Sequence, residues 1–227
     1  MDLDAASPTG FGRGTAAAAR AATPGEVDCD PGRLLERLNQ AVRLPEVFGG
    51  LPAVVRLLDR LAASEAQGTH QVWIPDTNGR LAPSMMLREG FPAPDIHVVA
   101  SQYGEDAHRR GWLRLDRTLT SAEHADVVER ALTWSQNDRS LHELVAEFGP
   151  PSVTFGSTDP DRPKTVSYVT GDRTAPVAAF HFGSARTGAA AGTGDGSRVG
   201  AVLLGVRVHD DFLGGWELTP FGEDRFC

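Results

Sequence analysis

Beyond Pro151 the chain reads as a run of strands, and this alternation constrains the fold more than any other feature. Successive side chains of a strand point to opposite faces of its sheet. In PVAAFHFG, Ala178, Phe180 and Phe182 share one face, and Val177, Ala179 and His181 share the other. In VGAVLLGVRVHD, Val202, Leu204, Val206 and Val208 form one row and Leu203, Gly205, Arg207 and His209 the opposite row. SVTFG, KTVSYVT and GWELTPF complete the set, with GDRT as a short hairpin turn. SARTGAAAGTGDGSR is expected to be a long loop of small residues. The pattern predicts an antiparallel meander of about four or five strands.

A sheet with an apolar face must bury it against another layer, and the preceding sequence supplies helices. PGRLLERLNQAVRL places Leu34, Leu35, Leu38 and Val42 at helical spacing, with Asp30 as N-cap. LPAVVRLLDRLAASEA repeats the pattern with Val54, Leu57, Leu58 and Leu61. Two capping boxes follow. Thr120 with Glu123 opens one helix, and Ser140 with Glu143 opens another that Gly149 and Pro150-Pro151 end. Between the helix pairs, THQVWIPDTNGRLAPSMML is expected to turn at Asn78-Gly79. APDIHVVASQYG is expected to be a strand and GEDAHRR a polar turn.

The fold class predicted is therefore α+β, with N-terminal and middle helices packed on a largely antiparallel sheet. Three portions follow: residues 1–30 as a disordered or loosely held segment poor in large apolar residues, 31–149 as a helix-rich α/β portion, and 150–227 as the antiparallel β portion, the latter two open to being one continuous domain.

Composition removes several function classes. The formal charge is −8, and arginines are interspersed with acids, as in RLLERL and RLLDRL. Nucleic-acid backbones need clustered Lys and Arg, so no nucleic-acid partner is expected. An acidic surface instead suits a protein partner with a basic surface. No stretch approaches the roughly 20 apolar residues of a membrane helix, so no membrane is expected. Cys29 and Cys227 form neither a zinc pattern nor a disulfide framework, which suits a reducing cytoplasm. Lys164 is the only lysine, and Ile74 and Ile96 are the only isoleucines. That bias is the signature of a GC-rich genome and points to an actinobacterial source.

The residues able to do chemistry are His97, His181, Arg207, His209 and Asp210. His97 follows Asp95 on the expected strand. His181, Arg207 and His209 share a sheet face if the Phe and Val rows face the core together, with Asp210 next in sequence. Two histidines and a carboxylate are a known metal set. However, an ideal hairpin puts His181 near the loop and His209 well away from it, which disfavours shared coordination. No metal and no cofactor are expected. GTGDGSRVG resembles a phosphate loop only superficially, because a strand rather than a helix follows it. No nucleophile motif is legible. The leading expectation is a non-enzymatic protein-binding protein, of inhibitor or immunity type. The alternative is an enzyme or small-ligand-binding protein with a pocket between the C-terminal sheet and the middle helices.

Overall fold

A computed structural model describes residues 30–65, 95–184, 200–209 and 216–226. The expected Asn78-Gly79 hairpin, most of the long small-residue loop, residues 1–29 and Asp210 lie outside these residues. Within them, helices α1 (Pro31–Arg43), α2 (Gly50–Glu65), α3 (Ile96–Arg109), α4 (Ser121–Trp134) and α5 (Leu141–Phe148) precede five strands. These are β1 (Val153–Gly156), β2 (Lys164–Tyr168), β3 (Val177–Ser184), β4 (Ala201–His209) and β5 (Trp216–Leu218); helix α6 (Pro220–Phe226) follows. The strands form one antiparallel sheet in the order β1-β2-β3-β4-β5. Fold class and meander are as the sequence predicts.

The caps explain the helix boundaries. Asp30 accepts from the amide of Gly32, and Pro31 fills the first turn, where a missing N–H costs nothing. Thr120 and Ser140 close full capping boxes with Glu123 and Glu143. Helix α5 stops at Gly149, whose φ of 76° is strained for a residue with a side chain.

The sheet has a helical layer on each face. On one side, Leu34, Leu38, Val54, Leu58 and Leu61 of α1 and α2 pack with Val99, Ala100 and Tyr103 of α3 against Val153 and Phe155 of β1. On the other, Val127 and Ala131 of α4 and Leu144 and Phe148 of α5 pack on Val166, Tyr168, Ala178, Phe180, Phe182, Leu203 and Val206. Phe180 is its centre, with ring centroids of Trp134, Phe148 and Tyr168 within 6.0 Å. Burying each such ring contributes about 1.5–3 kcal/mol before packing gains.

Three expectations require correction. The segment from Ile96 is a helix, not a strand with a polar turn. Eleven residues of α3 are buried, from His97 to His108, so no solvated face remains to print a helical period, and the Val98-Val99 pair imitates a strand. GWELTPF is a strand only to Leu218. Thr219 Oγ1 accepts from the amide of Gly222 and Pro220 occupies the first turn of α6, so the chain coils there. Third, the rows of β4 are not continuous. His181 pairs with Gly205 but Phe182 pairs with Leu203, leaving Leu204 as an extra residue in a bulge. Upstream of the bulge Ala201 and Leu203, not Val202 and Leu204, therefore join Val206 in the cluster under α4 and α5. Ser184 and Ala201 are the last paired residues of β3 and β4.

Candidate functional site

The sheet's second face, toward α3, carries the polar rows. Helix α3 puts His97, Ser101, Glu105 and His108 three or four residues apart, hence on one side of the helix. All four are buried, at 3%, 4%, 4% and 5% exposure. The strands answer with Thr165, His181 and Arg207, each at 0%. Thr165, His181 and Gly205 are direct neighbours across β2, β3 and β4; Ala179, Arg207 and Trp216 form a second rung. Gly156 lets α3 come close: at φ 100° its missing Cβ would stand 3.1 Å from that of His97.

His97 and His181 meet through Thr165. The threonine Oγ1 lies 3.0 Å from His97 Nδ1 and 2.8 Å from His181 Nδ1. A hydroxyl has one proton and two lone pairs, so it donates to at most one of the two imidazoles, and at least one Nδ1 carries a proton and donates to it. Neither Nε2 has a hydrogen-bond partner among the described residues. His97 Nε2 lies 3.4 Å from Asp95 Oδ2, a polar contact longer than a well-formed hydrogen bond. His181 stacks on Trp216 at 4.3 Å between centroids. Burial, and secondarily the charge of His97, hold the His181 imidazole well below its ordinary pKa, so it is neutral. Burial pushes the Asp95 carboxyl up, but the adjacent His97 and Arg225 outweigh it and leave Asp95 below the usual carboxylate value.

Arg207 is held differently. Its guanidinium donates to Glu105, which also accepts from Arg109 at 2.7 Å. Trp216 lies beside it, 6.0 Å from centroid to guanidinium carbon. The structure thus joins His97 to His181 and sets Arg207 one rung away. His209 ends β4 opposite Val177, four residues beyond the His181 rung, about 13 Å at strand spacing. Among the described residues no three His, Cys, Asp or Glu side chains converge as a metal set would require. Thr165 and Glu105, the partners that organise this seam, were invisible to the sequence reading because α3 was read as a strand. The signal was there as Asp95, His97, Ser101, Glu105 and His108 at helical spacing.

A second feature opens on the opposite face of the sheet. Helices α4 and α5 cover β2, β3 and β4 but leave the outer side of β1, at Thr154 and Gly156, only half-buried. Beside it lies a cleft of about 400 Å³. Leu141 and Val145 of α5, Leu44 and Val166 form its apolar walls, and Ser157, Thr158 and Lys164 its polar end. Arg43 at the rim is held by Asp116 at 2.9 Å. Lys164 donates to the carbonyls of Ser157, at 2.7 Å, and Asp159. Burial lowers its pKa, partly offset by Asp159 and Asp161. An ammonium has three N–H donors, so one is left after those two carbonyls. Lys164 and Val166 flank Thr165 in β2, so the cleft and the histidine seam lie on opposite sides of one strand.

No protein-family model, no curated protein and no solved structure matches this chain.

Proposed function

We propose that this chain is a binding protein whose site is the cleft between β1, β2 and α5, with a small amphipathic molecule as its ligand. The cleft's size carries the reading: about 400 Å³ falls in the range of about 300–1,000 Å³ typical of small-molecule sites. Its walls separate by polarity. Leu44, Leu141, Val145 and Val166 suit an apolar body, while Ser157, Thr158 and the charge of Lys164, itself only 1% exposed, suit an anionic head. Binding rather than turnover is favoured because His97 and His181 face the other side of the sheet, sealed under α3.

The test uses an amphipathic anionic dye, anilinonaphthalene sulfonate, titrated by fluorescence. Saturable binding at one site per chain is expected, lost in Val145→Trp, which fills the cleft from an exposed position on α5. Dye binding unchanged by Val145→Trp would refute the assignment.

A further inference from the structure

A different surface supports a protein partner. Helices α1 and α2 pack on each other, and their outer sides enclose a groove of about 210 Å³. Arg37 lines it from α1, and Arg56 and Arg60 from α2. The groove between them includes Gln40, Leu57 and Phe48, the last 41% exposed at the turn joining the helices. Val47 beside it is 70% exposed. No carboxylate lines this groove among the described residues.

The state of these arginines is unlike that of most others. Arg43, Arg109, Arg110, Arg117, Arg130 and Arg139 each lie against an aspartate or glutamate. Arg37, Arg56 and Arg60 have no hydrogen bond or ion pair among the described residues. Arg56 and Arg60 are also one helical turn apart, where like charges repel. In a chain with eight more acidic than basic side chains, unneutralised guanidinium groups collect around one groove with an exposed aromatic ring at its end. Arginine and aromatic residues are the types that anchor protein interfaces, and charge complementarity sets the sign of the partner.

We propose that the α1–α2 groove docks an acidic protein segment, with Asp or Glu side chains against Arg37, Arg56 and Arg60 and a large apolar side chain on Phe48 and Leu57. The net charge of −8 points to a basic partner, but this groove has the opposite local sign. The site is separate from the cleft beside Lys164, and either can fail without the other.

The probe is a short fluorescein-labelled peptide of Asp and Glu carrying a Leu and a Phe one helical turn apart, followed by fluorescence anisotropy with the full chain. Saturable binding is expected, weakening steeply as NaCl rises from about 0.05 M to about 0.5 M, where screening shortens the reach of exposed charges. The double variant Arg56→Glu/Arg60→Glu is expected to weaken it at least about tenfold, since each reversal replaces attraction with repulsion. Phe48→Ser is expected to weaken binding at all salt concentrations. These positions are partly or fully exposed, so the fold survives, as circular dichroism would verify. Four results would overturn the proposal: no saturable binding; binding unaffected by the variants; preference for the same peptide with Lys in place of Asp and Glu, or for a single-stranded oligonucleotide; and self-association of this chain lost in the Arg variants, which would make the groove a contact between copies.

Discussion

Removing either member of the buried Glu105–Arg207 pair should damage this protein more than removing both. Glu105 is 4% exposed and Arg207 0%, and the two are joined across the α3–sheet interface. Removing one member of such a pair costs about 3–5 kcal/mol, because a buried charge loses compensation that water cannot replace. Glu105 also accepts from Arg109, whose side chain is 37% exposed, and the Arg207 guanidinium lies beside the Trp216 ring. Each single variant, Glu105→Leu or Arg207→Met, therefore leaves the remaining charge partly compensated. The loss should fall between the ~1–3 kcal/mol of one charged hydrogen bond and the ~3–5 kcal/mol of a broken buried pair. Against a total stability of about 5–15 kcal/mol, either loss is a large fraction. The double variant Glu105→Leu/Arg207→Met should recover most of the loss, since an apolar pair of similar volume often matches a buried ion pair. Urea denaturation followed by tryptophan fluorescence measures all three. The midpoints of both single variants should fall well below that of the double variant, at constant slope. A double variant as unstable as the worse single variant would refute the compensation within the pair.

Stability should also depend on pH through His181. The unfolded imidazole titrates near 6.5, whereas burial and His97 hold it well below this in the fold, so below pH 6.5 the unfolded chain binds a proton that the folded chain refuses. Stability should be full above that pH and fall by up to about 1.4 kcal/mol per unit beneath it, and His181→Phe should flatten the slope in urea titrations; His108, lowered by burial and by Arg173 and Arg109, adds a remainder of the same sign. Thr120→Ala and Ser140→Ala should each cost about 1 kcal/mol and sum in the double variant, because the two capping boxes sit on different helices. Gly104→Ala should cost about 1–3 kcal/mol in thermal melts, because its new methyl would stand 2.5 Å from Phe155 Cζ and force α3 off β1.

The sheet was legible where one physical rule governed it. Phe180 and Phe182 do share a face, with His181 opposite, because strand parity is set by backbone geometry alone. The caps at Thr120 and Ser140 were legible for the same reason, since the hydrogen bonds that define them span three residues. Helix α3 was not legible. Both its sides are covered, so its residue pattern reflects what it touches rather than its own period. That misreading carried into the candidate site. His97 stands out in the sequence as a residue able to do chemistry, but Thr165 and Glu105, which give His97 and Arg207 their surroundings, emerge only when α3 lies across the strands. The bulge at Leu204 was equally silent, since which of two adjacent residues is left unpaired depends on the neighbouring strand. The cleft and the arginine groove arise where one layer ends before the other, and no local pattern encodes where layers end.

The pairing of Ser184 with Ala201 means that the chain leaves β3 and enters β4 at one point in space. Whatever lies between those two residues is closed by a ladder that already exists. Lengthening a tether whose ends are pinned costs little, about 0.6 kcal/mol per doubling. The entropic cost of an insertion between them is correspondingly small: a guest domain spliced in there would enter and leave through one fixed pair of backbone positions.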